Sequence, residues 1–206
     1  AFWGSQRGMG GMGAGHDDGG HGAMAAPVAP AAAGVRVEWS AEPATPQPGQ
    51  PVTLRYRVVN ARNGQTITDL PIDHERPMHL IVVSKDLREF QHVHPSLAPD
   101  GAYAVTVTLP AGGTYLLYNE FIRGSQTVLD RQTLAVGAAG GAAALVPDLA
   151  PKTDGGIAVA LRAPETVTAG QETNFTFTLT RDGQPVADLT QYLGADAHVP
   201  IVPADG

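Results

Sequence analysis

From Val35 onward the chain alternates apolar and polar residues with a period of two, the spacing of a half-buried β-strand. In the run from Val52 to Val58, Val52, Leu54, Tyr56 and Val58 share one face, and Thr53, Arg55 and Arg57 share the other. Tyr103, Val105, Val107 and Leu109 alternate in the same way with Ala104, Thr106 and Thr108. Leu80 to Val83 is apolar at every position, which predicts a central strand covered on both sides. Turn-forming pairs punctuate these runs at Pro48-Gly49, Asn63-Gly64, Asp100-Gly101, Gly112-Gly113 and Asp182-Gly183. No segment sustains a helical period. The pattern predicts an all-β protein built as an immunoglobulin-like antiparallel β-sandwich.

The pattern also repeats. Pro48-Gly49-Gln50, an alternating strand, Asn63-Gly64-Gln65 and Thr68-Asp69-Leu70 recur in order as Ala169-Gly170-Gln171, an alternating strand, Asp182-Gly183-Gln184 and Ala187-Asp188-Leu189. The same register sets His198 against His79 and Asp205 against Asp86. The expected organisation is a Gly/Met/His-rich tail over 1–34, a first module over 35–136, a Gly/Ala/Pro linker over 137–155 and a second module over 156–206. That second copy reads as incomplete, because it stops before any counterpart of Gln91-His92-Val93-His94-Pro95. The tail holds too little apolar side chain to offset the entropy of ordering it, which predicts disorder there.

Composition narrows the function. Charged residues make up 16% of the chain while Gly and Pro number 25 and 17, a turn-rich balance that suits a sandwich. A net charge of −7 argues against a nucleic-acid partner, which calls for a basic face. With no cysteine, disulfides, thiolate zinc sites, cysteine nucleophiles and a blue-copper centre are all excluded. No apolar stretch is long enough to span a membrane. The chain opens on Ala-Phe-Trp, which we read as the mark of a removed upstream signal or anchor.

The candidate chemistry lies in the histidines. His92 and His94 are two apart and so point to the same side of a strand. If Met78–Ser84 and Glu89–His94 pair across a four-residue loop, Lys85-Asp86-Leu87-Arg88, then Val83 meets Phe90, Ile81 meets His92 and His79 meets His94. His79, His92 and His94 then crowd one face, close enough to converge on a metal ion. Imidazole suits copper, zinc and nickel. A loop one residue longer or shorter turns His79 away. Without such convergence, the three rings simply pack in a half-buried sheet. His74 is a weaker candidate ligand, since the repeat places Leu193 at its position.

In the tail, Met9, Met12 and Met24 interleave with His16 and His21, a thioether and imidazole mixture that favours copper. The same composition also fits a solvated linker. The Gly8, Gly10, Gly13 spacing mimics a dinucleotide-binding fingerprint but has neither strand before it nor helix after it. The stretch from His74 to His79 is one residue too long for the zinc-protease pattern, and Pro77 breaks any helix there. No catalytic residues emerge, and the expectation is a protein that is not an enzyme.

The phrase Pro77-Met78-His79-Leu80-Ile81-Val82-Val83-Ser84-Lys85-Asp86-Leu87, followed by Phe90-Gln91-His92-Val93-His94-Pro95, resembles bacterial envelope proteins related to the YtkA-like/FixH-like group. Gly113-Thr114-Tyr115, Gly124-Ser125-Gln126-Thr127 and Leu189-Thr190-Gln191-Tyr192-Leu193-Gly194-Ala195 fit the same pattern over roughly residues 36–206. The resemblance implies an exported or lipid-anchored protein, periplasmic or extracellular, of tandem immunoglobulin-like modules often found near heavy-metal and copper handling. Pro200 and Pro203 depart from it by interrupting the second module's central strand. The combined expectation is copper binding or buffering through His79, His92 and His94 with help from the tail, zinc being the second choice of ion. Its partners would be the metal ion, an envelope protein, and the membrane only through an upstream anchor. The competing expectation is a structural or interaction module that recruits a partner by adding a strand to an open edge.

Overall fold

A computed structural model describes residues 26–138, 146–191, 197 and 199–202. The chain divides into two compact units, the second spanning Leu145–His198.

Among the described residues the first unit contains eight strands: β1 (Val35–Glu42), β2 (Pro51–Asn60), β3 (His79–Ser84), β4 (Phe90–Val93), β5 (Ser96–Leu97), β6 (Tyr103–Thr108), β7 (Gly113–Arg123) and β8 (Gln126–Val136). They form two antiparallel sheets, ordered β1-β2-β6-β5 and β4-β3-β7-β8. This partition is that of an immunoglobulin-like sandwich, in which the first, second, fourth and fifth principal strands share one sheet. A further hallmark of that fold is present at the start of β7, where the Tyr115 hydroxyl donates to the Ala111 carbonyl at 3.0 Å.

The alternation seen in the sequence is the alternation of burial. Val52, Leu54, Tyr56 and Val58 of β2 are each at most 1% exposed, and they face Leu80, Val82, Tyr115, Leu117 and Phe121 of the other sheet. Burying these side chains, each worth about 1.5–3 kcal/mol, is what holds the two layers together. On β3 the even positions Leu80 and Val82 enter this core, so the odd positions His79, Ile81 and Val83 lie on the outer face. That parity places the histidines outside the sandwich.

Residues 28–34, assigned to the tail from the sequence, are placed against the first unit. Val28 donates to the Thr127 carbonyl at 2.8 Å and accepts from the Leu129 amide at 2.9 Å, bridging to the edge of β8. A 3-10 turn over Pro30–Ala33 follows, and Gly34, at φ +70°, leads the chain into β1. The physical cause is that β8 is an edge strand, whose outward amides donate to, and whose outward carbonyls accept from, the backbone of Val28.

Among the described residues the second unit forms a four-stranded antiparallel sheet, ordered β12-β11-β10-β9, of β9 (Lys152–Asp154), β10 (Ile157–Arg162), β11 (Thr176–Arg181) and β12 (Gln184–Pro185). It reproduces the opening hairpin of the first unit. Ile157 pairs with Arg181 as Val35 pairs with Asn60. Gly170 (φ +78°) turns the chain where Gly49 (φ +73°) does. The Val186 amide donates to Leu179 as the Ile67 amide donates to Val58, at 3.0 and 2.8 Å. β9 lies within the segment expected to be linker. His198 and Asp205, the repeat's counterparts of His79 and Asp86, fall outside the described residues, as does Pro203. Among the described residues no helix is long and apolar enough to cross a membrane.

Candidate metal centre

The site is built on the β3–β4 hairpin, whose register is the one the loop length predicts. Val83 pairs with Phe90, Val82 with Gln91, Ile81 with His92 and Leu80 with Val93. The loop is closed by the Ser84 amide donating to the Glu89 carbonyl at 2.9 Å and the Leu87 amide donating to the Ser84 carbonyl at 2.8 Å. The buried Ser84 hydroxyl holds it from inside. It donates to Asp86 Oδ1 at 2.7 Å and accepts from the amides of Arg88 and Glu89 at 3.1 and 2.9 Å. That hydroxyl bond, joined by the Arg88 amide, keeps the Asp86 carboxyl below its usual range.

Extending this register by one step brings His94 beside His79. The ring centroids of His79 and His92 are 5.5 Å apart, those of His79 and His94 4.9 Å, and those of His92 and His94 4.8 Å. One nitrogen from each of the three rings lies within 4.8 Å of the others, a group that could hold a metal ion. His79 Nδ1 sits 3.3 Å from His92 Nε2. Two nitrogens bound tetrahedrally to one ion at the usual 2.0–2.1 Å are about 3.3 Å apart, so the pair already stands at ligand spacing.

The orientation of His79 is set from behind. Its Nε2 lies 2.9 Å from the Asp73 carbonyl, which can only accept, so Nε2 carries the proton and donates. In the neutral ring the lone pair is therefore on Nδ1, aimed at His92. A backbone carbonyl fixing the far nitrogen of an imidazole is the usual outer-sphere device of metal-binding histidines.

The Asp73 carbonyl is delivered by a tight turn. Asp73 and Arg76 exchange backbone hydrogen bonds at 2.9 and 3.0 Å, enclosing His74 (φ +44°) and Glu75 (φ +67°). Positive φ at both central residues is the sign pattern of a type I′ turn, for which Asn-Gly is the favoured pair. His-Glu in that conformation costs of order 1–3 kcal/mol per residue, a strain of the kind found at ligand clamps. His74 itself is outside the triad, with its ring centroid 6.3 Å from that of His79 and its Nδ1 3.4 Å from Asp73 Oδ1.

Two neighbours escaped the sequence reading. Asp73 acts through its backbone, which side-chain chemistry cannot flag. Glu120 stands opposite His79 across the β3–β7 ladder. Burial pushes its carboxyl above the usual range, while the His79 imidazole pulls the other way. Only the non-local pairing of β3 with β7 reveals it. On the core face of the same sheet, Asn119 pairs with Asp130, and burial raises the Asp130 carboxyl against two bonds from Gln132 Nε2 at 3.2 Å.

Met9, Met12, His16, His21 and Met24 lie outside the described residues. No curated protein matches the chain significantly. Residues 30–137 and 151–206 match the family described as Domain of unknown function (DUF8832), two segments that follow the two halves of the internal repeat. With most of its length matched in this way, the chain belongs to the DUF8832 family.

Proposed function

We propose that this protein binds or buffers copper outside the cytoplasm, with His79, His92 and His94 as the ordered ligands. The observation that carries this reading is the convergence of three imidazole nitrogens within 4.8 Å, one ring being held by the Asp73 carbonyl. An all-imidazole set with no thiolate suits copper and zinc alike. Copper is preferred because the Met9, Met12, His16, His21 and Met24 segment adds thioethers, which select Cu(I), to imidazoles that also take Cu(II). The envelope location rests on the resemblance of the β3–β4 hairpin phrase to exported proteins. No turnover is assigned. The site reads as one that holds an ion and releases it.

The test is calorimetric titration of Cu(II), Cu(I) under reductant, and Zn(II) into the full chain. Parallel titrations use a His79→Ala/His92→Ala/His94→Ala variant and a chain lacking residues 1–25. One ion bound in the micromolar range or tighter, and lost with the triple change, supports the reading. Affinity no tighter than about 1 mM in every chain refutes it and leaves a β-scaffold whose histidines only pack.

A further inference from the structure

We propose that a water molecule, bound between the two sheets by Tyr56, Asn119 and Asp130, is a fixed part of the first unit. The site lies inside the sandwich, apart from the histidines, and does not depend on the metal reading.

The alternation that sends apolar residues inward sends three polar ones with them. Asn119 has the core parity of β7, in line with Leu117 and Phe121, and is 0% exposed. Asp130 has the core parity of β8, in line with Val128 and Leu134, and faces Asn119 across the β7–β8 ladder. Tyr56 comes from β2 of the opposite sheet and is also 0% exposed. Packed sheets stand about 10 Å apart, and a tyrosine side chain spans more than half of that gap, so its hydroxyl ends among side chains of the facing sheet. Burial, and after it the Asp130 charge, raises this hydroxyl above its ordinary range, which puts Tyr56 and Asp130 within electrostatic reach of each other.

These groups are short of partners. Among the described residues the Tyr56 hydroxyl, Asn119 Oδ1 and Asn119 Nδ2 make no hydrogen bond, although each atom is buried. Both amide atoms are unpaired, so a flip of the Asn119 side chain leaves the shortage as it is. Gln132 Nε2 donates to each Asp130 oxygen at 3.2 Å, and a carboxylate has room for further donors. Buried polar atoms in folded proteins are paired, with protein groups or with ordered water, in all but a few cases. Water matches this set: it accepts from the Tyr56 hydroxyl and from Asn119 Nδ2 and donates to the Asp130 carboxyl. About three bonds is the usual complement of a buried water. A cation suits the oxygens but leaves the Asn119 Nδ2 donor unpaired, so water is the better occupant.

The test is nuclear magnetic resonance of the full chain. The Asn119 side-chain amide protons should show direct rotating-frame cross-relaxation with water, a readout that needs no variant. Oxygen-17 relaxation dispersion counts long-lived internal waters, and Asn119→Leu should lower that count by about one, with circular dichroism unchanged. If Asn119→Leu does not fold, the cross-relaxation alone decides. Absence of that cross-relaxation, or an equal water count in wild type and folded Asn119→Leu, overturns the proposal and leaves the three polar groups to pair directly. An unfolding midpoint that differs between sodium and choline chloride at equal ionic strength, the difference vanishing in Asn119→Leu, overturns it in favour of a bound cation.

Discussion

Ser84→Ala tests the physical basis of the candidate metal centre more directly than any change to a histidine. Ser84 is 7% exposed, and its hydroxyl accepts from two backbone amides, those of Arg88 and Glu89, at 3.1 and 2.9 Å. Each such bond contributes about 1 kcal/mol net, so removing both acceptor contacts costs about 2 kcal/mol. In a unit of this size that corresponds to a fall in Tm of about 10 °C. The Asp86 carboxyl, held low chiefly by the same hydroxyl, should move back toward its ordinary range. The assay is urea and thermal unfolding followed by circular dichroism, together with amide exchange at Arg88 and Glu89. Zinc titration on the same samples should show weaker binding, because a looser loop no longer holds β4 in the register that gathers the rings. A stability change under about 0.5 kcal/mol, with amide protection and zinc affinity unaltered, would show that the hydroxyl does not set this register.

One Gly inserted between Leu87 and Arg88 should abolish metal binding while two should largely preserve it, read by zinc titration, since side chains change face with every residue of slip. Leu117→Ala removes a side chain with no exposure from the centre of β7 and should cost about 2–5 kcal/mol by urea unfolding. Burial raises the Asp130 carboxyl, so its ionised form opposes folding; Asp130→Asn should be more stable than wild type at neutral pH. That advantage should shrink as pH falls through the raised folded pKa and vanish below the unfolded value of about 3.9, which unfolding at stepped pH will check.

The period-two pattern determined the strands and their inward faces, because burial on one side of a strand is written in every second residue. It fixed Val52, Leu54, Tyr56 and Val58 as core, and the covered run Leu80–Val83 as central. It also fixed the one non-obvious juxtaposition that matters most. The β3–β4 loop is short and even, so hairpin register is local information, and the meeting of His79, His92 and His94 could be read from spacing alone. The bridge from Val28 to Val128 was not legible, since it depends on which strand the sheet leaves at its edge. Nor was the outer shell of the site. The Asp73 carbonyl is a backbone group on a turn of unfavoured sequence, and Glu120 reaches His79 only because β3 pairs with β7, some forty residues along the chain. Local alternation and loop length are properties of neighbouring residues and survive in the sequence. The groups that orient His79 belong to pairings closed across the fold, whose partners only the packed sandwich selects.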